Sequence, residues 1–404
     1  MTPATSNSRL TGFAVFTALC TLFLIALGGL VTSHEAGMAV PDWPNSYGYN
    51  MFFFPVSQWV GGIFYEHTHR LLASFVGLLT TLLALWLWAR ETRGRGRWTG
   101  IGAILIFMAL LGIRKMPVYL LLAAAAPVAI AVSCWQIKKN PGALRWFGVV
   151  AFAAVILQGV LGGLRVVLLQ DQFGIFHATL AQCFFVVVGT IALLTAKRWR
   201  NWTPQFRPDA HPLRFLYPAT TMLILGQLIL GATMRHQHAG LAISDFPLAY
   251  GKIWPALDSE SVARYNQQRL ESIDAKPVTA AQIILQLVHR AVAAAIFLLV
   301  LSSVWATRKR IPWNHPLTKL SAAWLCLLLA QIALGAATIW SNKSADIATA
   351  HVVVGALTLL TGTFLSLAAL RIVPASCSKN ILATNPSSAN FIPSQSPAVN
   401  PNSR

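Results

Sequence analysis

Apolar runs of about 20 residues recur along almost the whole chain, and no other feature constrains the fold as strongly. A run of that length crosses a bilayer as a helix. Lipid offers no partner to backbone N–H and C=O groups, so only helices or a closed barrel can cross it. The runs do not alternate in ten-residue strands, so the crossing elements are helices. Composition agrees: of 404 residues, 55% are hydrophobic and 11% charged, against roughly a quarter charged in soluble domains. The first run, Phe13–Val31, is long enough to remain a membrane helix, and no cleavable signal or Arg-rich transit peptide is expected.

The net charge of +19 does not point to nucleic acid. Its Lys and Arg residues cluster in short loops between apolar runs, the pattern of cytoplasmic loops in membrane proteins. Helices are expected near 12–32, 68–89, 99–113, 117–137, 146–168, 174–196, 214–234, 282–306, 318–340 and 347–371. With that count "RETRGRGR" (90–97), "KKNPGALR" (138–145), 197–214 and 307–316 fall on one side, the cytoplasm, with the N-terminus (1–11). Arg114-Lys115 is a misfit, landing outside if 99–113 crosses. Two long loops, 33–67 and 235–281, lie on the opposite side, and the Ser/Asn/Pro-rich tail 372–404 reads as disordered. Cys20, Cys134, Cys183, Cys326 and Cys377 form no CxxC, so neither a disulfide nor covalent haem attachment is expected.

The chain contains an internal repeat. "LGGLVTSHEAGMAVPDWPNSYG" (27–48) matches "LGATMRHQHAGLAISDFPLAYG" (230–251), and "YEHTHR" (65–70) matches "LQLVHR" (285–290). The segment 157–181 matches 330–355, pairing His177 with His351 as His69 pairs with His289. Each half is therefore a four-helix unit, 12–196 and 214–371, joined by a cytoplasmic linker at 197–213. His69 and His177 are 108 residues apart but His289 and His351 only 62, which places an inserted helical hairpin at 98–144 of the first half. The fold class is an all-α polytopic membrane protein of two pseudo-symmetric bundles.

Each half places two histidines near the external ends of its second and fourth helices. Across a bundle such a pair can take both axial positions of a haem iron. Arg70, Arg290 and Arg165 are candidates to meet the anionic propionates. Alone, a histidine in a membrane helix is as readily a hydrogen-bonding residue; retention of all four in a duplicated frame favours ligation. Glu66 lies three residues before His69, on the same helix face, where the second half has Gln286. It reads either as a general base or charge stabiliser, or as a helix-start carboxylate at the positive dipole end. His67 is read as interfacial and His211 and His315 as solvated. His34, His236 and His238 carry only a weak metal-site signal. Gln158–Gly163 and Gln331–Gly335 suggest close helix packing.

Glu-x-x-His-Arg at 66–70, "LQGVLGGLRV" at 157–166, His-Arg at 289–290 and His351 together resemble haem A synthase, the CtaA/Cox15 family of cytochrome oxidase assembly. The likeness covers roughly 12–371 apart from 98–144. It implies an enzyme that oxidises the C8 methyl of haem O to a formyl group. It also implies a haem b cofactor on His289 and His351, and haem O between His69 and His177. Glu66 matches the family's required glutamate, which would position or deprotonate a reacting group or stabilise a cationic intermediate. Loop 33–67 lacks the cysteine pair of some members. A haem O synthase, an electron acceptor and further copies of the chain are candidate partners. A dihaem electron-transfer cytochrome and a haem carrier remain as alternatives, and the Glu66/Gln286 asymmetry speaks against the first.

Overall fold

The computed structural model describes residues 8–113, 115–202, 212–273 and 277–371. Arg114, His211, Cys377 and the tail 372–404 lie outside the described residues. Twelve α-helices occupy the described residues. They are α1 (Ser8–Ser33), α2 (Gly61–Glu91), α3 (Gly94–Leu111), α4 (Met116–Lys139), α5 (Leu144–Leu168), α6 (Asp171–Thr195), α7 (Lys197–Arg200), α8 (Leu213–His236), α9 (Ser259–Ile273), α10 (Ala280–Arg310), α11 (Pro316–Trp340) and α12 (Ala345–Leu370). Nine of them are long and apolar enough to cross a membrane. The third of the ten expected helices, α3, is the exception, because it starts at Gly94 rather than near 99 and its first turn carries Arg95 and Arg97.

The repeat is visible in the packing. Helices α1, α2, α5 and α6 close into one ring of neighbours, and α8, α10, α11 and α12 into a second. The halves meet through α1, α6, α8 and α12, with α1 on α12, α6 on α8 and α6 on α12. Ile25, Phe185 and Ala356 are buried in that seam. Small residues bring the backbones together there: a β-carbon built on Gly29 would lie 2.9 Å from Thr349 of α12.

The insertion is a hairpin on the flank of the first bundle. α3 leaves from the C-terminal end of α2, where Trp88 Nε1–H donates to Gly96 O at 3.1 Å. α4 begins at the opposite end, where Tyr119 packs against Trp43 of the first loop with ring centres 4.5 Å apart. The hairpin thus runs up and back along α2 and α5, burying Ile104, Tyr119 and Leu122 against Ala84, Phe152 and Ile156. Glu91, closing α2, accepts from the N–H groups of Leu144 and Arg145 at 3.1 and 3.0 Å and so caps α5.

Three local expectations need correction. α2 starts at Gly61, not near 68, so Glu66 and His69 sit in its second and third turns, and no acidic residue lies in its first turn. Its polar opening stays helical because Glu66, His67 Nδ1 and Arg70 find partners under the loop. The second external loop contains α9, a polar helix not foreseen from the sequence; its Tyr265 stacks on Tyr250 with ring centres 3.7 Å apart. That burial pushes the Tyr250 hydroxyl up to about 12. His315 is not merely solvated: its side chain accepts from Leu317 N at 3.1 Å and caps α11.

Candidate functional site

The two external loops fold alike because the repeated residues do the same work. Asp42 accepts from the N–H groups of Tyr47 and Gly48 at 2.7 and 2.8 Å. Asp245 does so from Tyr250 and Gly251 at 2.7 and 2.8 Å. Tyr47 OH donates to Ala39 O and Tyr250 OH to the matching Ala242 O. Tyr47 and Tyr250 both have positive φ, 50° and 52°, and each is followed by a positive-φ glycine. The Asp…Tyr-Gly frame of the repeat is therefore a turn that closes a lid over the end of each bundle.

Each lid is tied down from the second helix of its bundle. Glu66 is buried; its Oε2 accepts from Val40 N at 2.8 Å and its Oε1 from Arg70 at 2.7 Å. Gln286 holds the equivalent point, its Oε1 accepting from Ile243 N at 2.6 Å. The helix-start reading of Glu66 is thus replaced by a lid clamp in both halves, with an ion pair added in the first. Arg70 also donates to the carbonyls of Val40, Asp42 and Asn45 at 2.9, 2.7 and 3.0 Å. Arg290 donates to Asp245 O and Leu248 O at 2.7 and 2.8 Å. Sequence adjacency to the histidines made these arginines propionate candidates; the structure turns most of their donors to lid carbonyls. His67 is fully buried rather than interfacial, facing Ser46 Oγ at 3.1 Å between Phe54 and Trp59.

Beneath the lids lie the four histidines. His69 on α2 and His177 on α6 face each other with ring centres 6.5 Å apart and planes at 69°. Metal–imidazole bonds of about 2 Å, plus about 1.1 Å from nitrogen to ring centre, call for centres about 6.3 Å apart. The spacing of the ring centres therefore matches that of two imidazoles on one iron. His177 Nδ1–H donates to Gln158 O at 3.2 Å, so in the neutral ring the lone pair is on Nε2. His289 on α10 and His351 on α12 hold the matching places in the second bundle.

Every one of these rings rests on a glycine. A β-carbon built on Gly28, Gly162, Gly231 or Gly335 would lie 3.1, 3.2, 3.4 or 3.3 Å from Cε1 of His69, His177, His289 or His351 respectively. In each bundle the first helix carries the cradle for the second and the third for the fourth. All four glycines follow a leucine, so the Leu-Gly pairs of the repeat were the sequence signal for this role. The packing read from Gln-x-x-Leu-Gly is present, and its packed partner is the histidine.

Arg165, near the end of α5, lies against the first lid: a β-carbon on Gly37 would be 2.7 Å from its Nη1. It lies three residues beyond Gly162, the glycine against His177, and so on the same face of α5; of the three candidate arginines it is placed best to meet an anion there. The remaining histidines do not gather. His34 stacks on Tyr65 with ring centres 4.3 Å apart, and His236 packs on Gly174. Among the described residues no three His, Cys, Asp or Glu side chains form a metal-ion cluster; a haem iron asks the chain for two ligands, not three.

This fold and site define a multi-pass helical membrane protein whose duplicated bundles each carry a pair of glycine-cradled histidines. The chain belongs to the COX15-CtaA family of cytochrome oxidase assembly proteins, whose profile matches residues 114–363. It is similar to the protein named "Heme A synthase" of Halalkalibacterium halodurans, 23% identical over 356 residues that cover 85% of this chain and 91% of that one. The protein of the same name from Rhizorhabdus wittichii is 25% identical over 372 residues, 88% and 93% of the two chains. That of Symbiobacterium thermophilum is 30% identical over 224 residues, 53% and 65%.

Proposed function

We propose that the chain is a haem A synthase that oxidises the C8 methyl group of haem O to a formyl group. The observation that carries this is the His69–His177 pair, spaced for an iron and glycine-cradled. It lies under a lid whose clamp is an ionisable carboxylate only in that half. The relatives' shared name, "Heme A synthase", supports the same reading.

Haem O is the substrate of the N-terminal bundle, with Arg165 facing its acid groups. Two successive hydroxylations of the methyl carbon give a gem-diol, which loses water to leave the formyl group. Each hydroxylation passes two electrons from that carbon to the external acceptor, takes its oxygen from water and releases two protons. Glu66, on the same helix face as His69, stabilises the positive charge that develops at the carbon and accepts one of those protons, the other passing to solvent. Its bonds to Arg70 and Val40 fix the carboxylate in place before reaction.

His289 and His351 would hold a b-type haem in the second bundle, which supplies one-electron transfer when bound. There Gln286 keeps the lid shut without an ionisable group. Adding haem O to the purified chain is expected to give a low-spin, six-coordinate spectrum that His177→Ala abolishes. An identical spectrum from that variant would refute the substrate site.

The same reading places the chain in the bacterial plasma membrane with its N-terminus in the cytoplasm. The basic ends of α2, α4 and α10 all lie away from the lids, as the excess of positive charge on cytoplasmic loops requires. In a background without the native cysteines, Lys115→Cys should react with an impermeant thiol reagent from outside intact cells. Labelling only after lysis would contradict a hairpin that crosses twice.

A further inference from the structure

Arg235, in the last turn of α8, has no counterpart in the first half: the repeat places Thr32 there, whose hydroxyl donates to Gly28 O of its own helix. Arg235 Nη2 donates across the seam to Gly29 O and Ser33 Oγ of α1. Its Nε is buried without an acceptor, and no carboxylate among the described residues pairs with it. A guanidinium with a buried, unmet donor is costly unless an anion joins it.

Its position says where that anion would come from. Arg235 lies one helical turn beyond Gly231, the glycine under His289, and so on the same face of α8. Gly29, whose carbonyl it holds, packs on Thr349, two residues before His351. Arg290, the arginine that sequence adjacency favours, donates instead to the lid carbonyls Asp245 O and Leu248 O.

Resting on the haem reading above, we infer that Arg235 is the carboxylate clamp of the C-terminal site, binding an acid side group of the macrocycle held by His289 and His351. The N-terminal bundle, through Gly29 and Ser33 of α1, braces the guanidinium in place. The first half thus takes part in building the second half's site, and the two bundles cannot be tuned independently.

The test compares binding of haem b and of its dimethyl ester, in which both carboxylates are blocked, to the haem-stripped full-length protein. The wild type is expected to prefer the free acid by on the order of tenfold or more, the worth of a charge-assisted hydrogen bond. Arg235→Gln should remove most of that preference while keeping the bis-imidazole spectrum, and Arg235→Lys should restore part of it. An unchanged preference in Arg235→Gln overturns the clamp. Should the glutamine variant not accumulate, Arg235→Lys decides, since it keeps the cation but not the fork. A reduced preference supports the clamp and an undiminished one overturns it. If the wild type takes up neither compound with a low-spin spectrum, the haem reading itself fails, a result distinct from failure of the clamp.

Discussion

Glu66→Gln leaves the protein folded and able to bind haem but lowers formyl production at least about a hundredfold, the scale of a lost proton-transfer or charge-stabilising group. The second bundle already contains the control for this substitution. Gln286 stands at the equivalent position and accepts from Ile243 N as Glu66 accepts from Val40 N. A glutamine is thus known, within this fold, to hold a lid of this design. What it cannot supply is the negative charge beside Arg70. Glu66→Ala differs, since it removes the clamp as well and leaves a buried guanidinium without its carboxylate, a loss of about 3–5 kcal/mol. The measurement is haem A per folded protein for each variant, with bound haem quantified alongside. A normal haem A yield from Glu66→Gln would show that the carboxylate only clamps the lid.

Replacing His289 or His351 by alanine eliminates the six-coordinate, low-spin haem b spectrum. The effect is expected to be nearly complete because each ring would be one of two ligands, with no neighbour among the described residues to replace it. Gly231 and Gly335, which lie against the rings, offer no side chain, and among the described residues no third His, Cys, Asp or Glu gathers with them. Truncation also leaves a space the size of an imidazole, so added imidazole should restore the low-spin spectrum. That rescue separates loss of a ligand from loss of the fold. An unchanged spectrum in either variant would remove that histidine from the ligand set.

Much of this structure could be read from the sequence, because a bilayer leaves a chain few choices. Apolar runs had to be helices, and the duplicated histidines had to lie at matching depths in duplicated bundles. The insertion was legible from the unequal histidine spacings, and α3 and α4 fill it. The start of α2 was not, since "GGIFYEHTHR" looks too polar to be buried until its partners Val40, Ser46 and Arg70 are known. The first two of those contacts span 26 and 21 residues and belong to the folded lid. Arg70 and Arg290 looked like ligand-site arginines because they adjoin histidines in sequence, yet helical geometry turns adjacent residues to different faces. Arg235 is hard to read from the sequence for the opposite reason. The repeat shows what the halves share, and Arg235 belongs to what they do not. The glycine cradles were in view as Leu-Gly pairs, but only the packing shows that each supports a histidine.

The central claim is chemical: this chain turns haem O into haem A. The most direct measurement is to co-express the full-length chain with a haem O synthase, extract the non-covalent haems in acid, and separate them by chromatography with mass detection. Haem A should appear with the wild-type chain and be absent when the chain is omitted. Haem O recovered unchanged, from cells in which the chain is folded and carries haem b, would contradict the claim and leave a cytochrome or a carrier in its place.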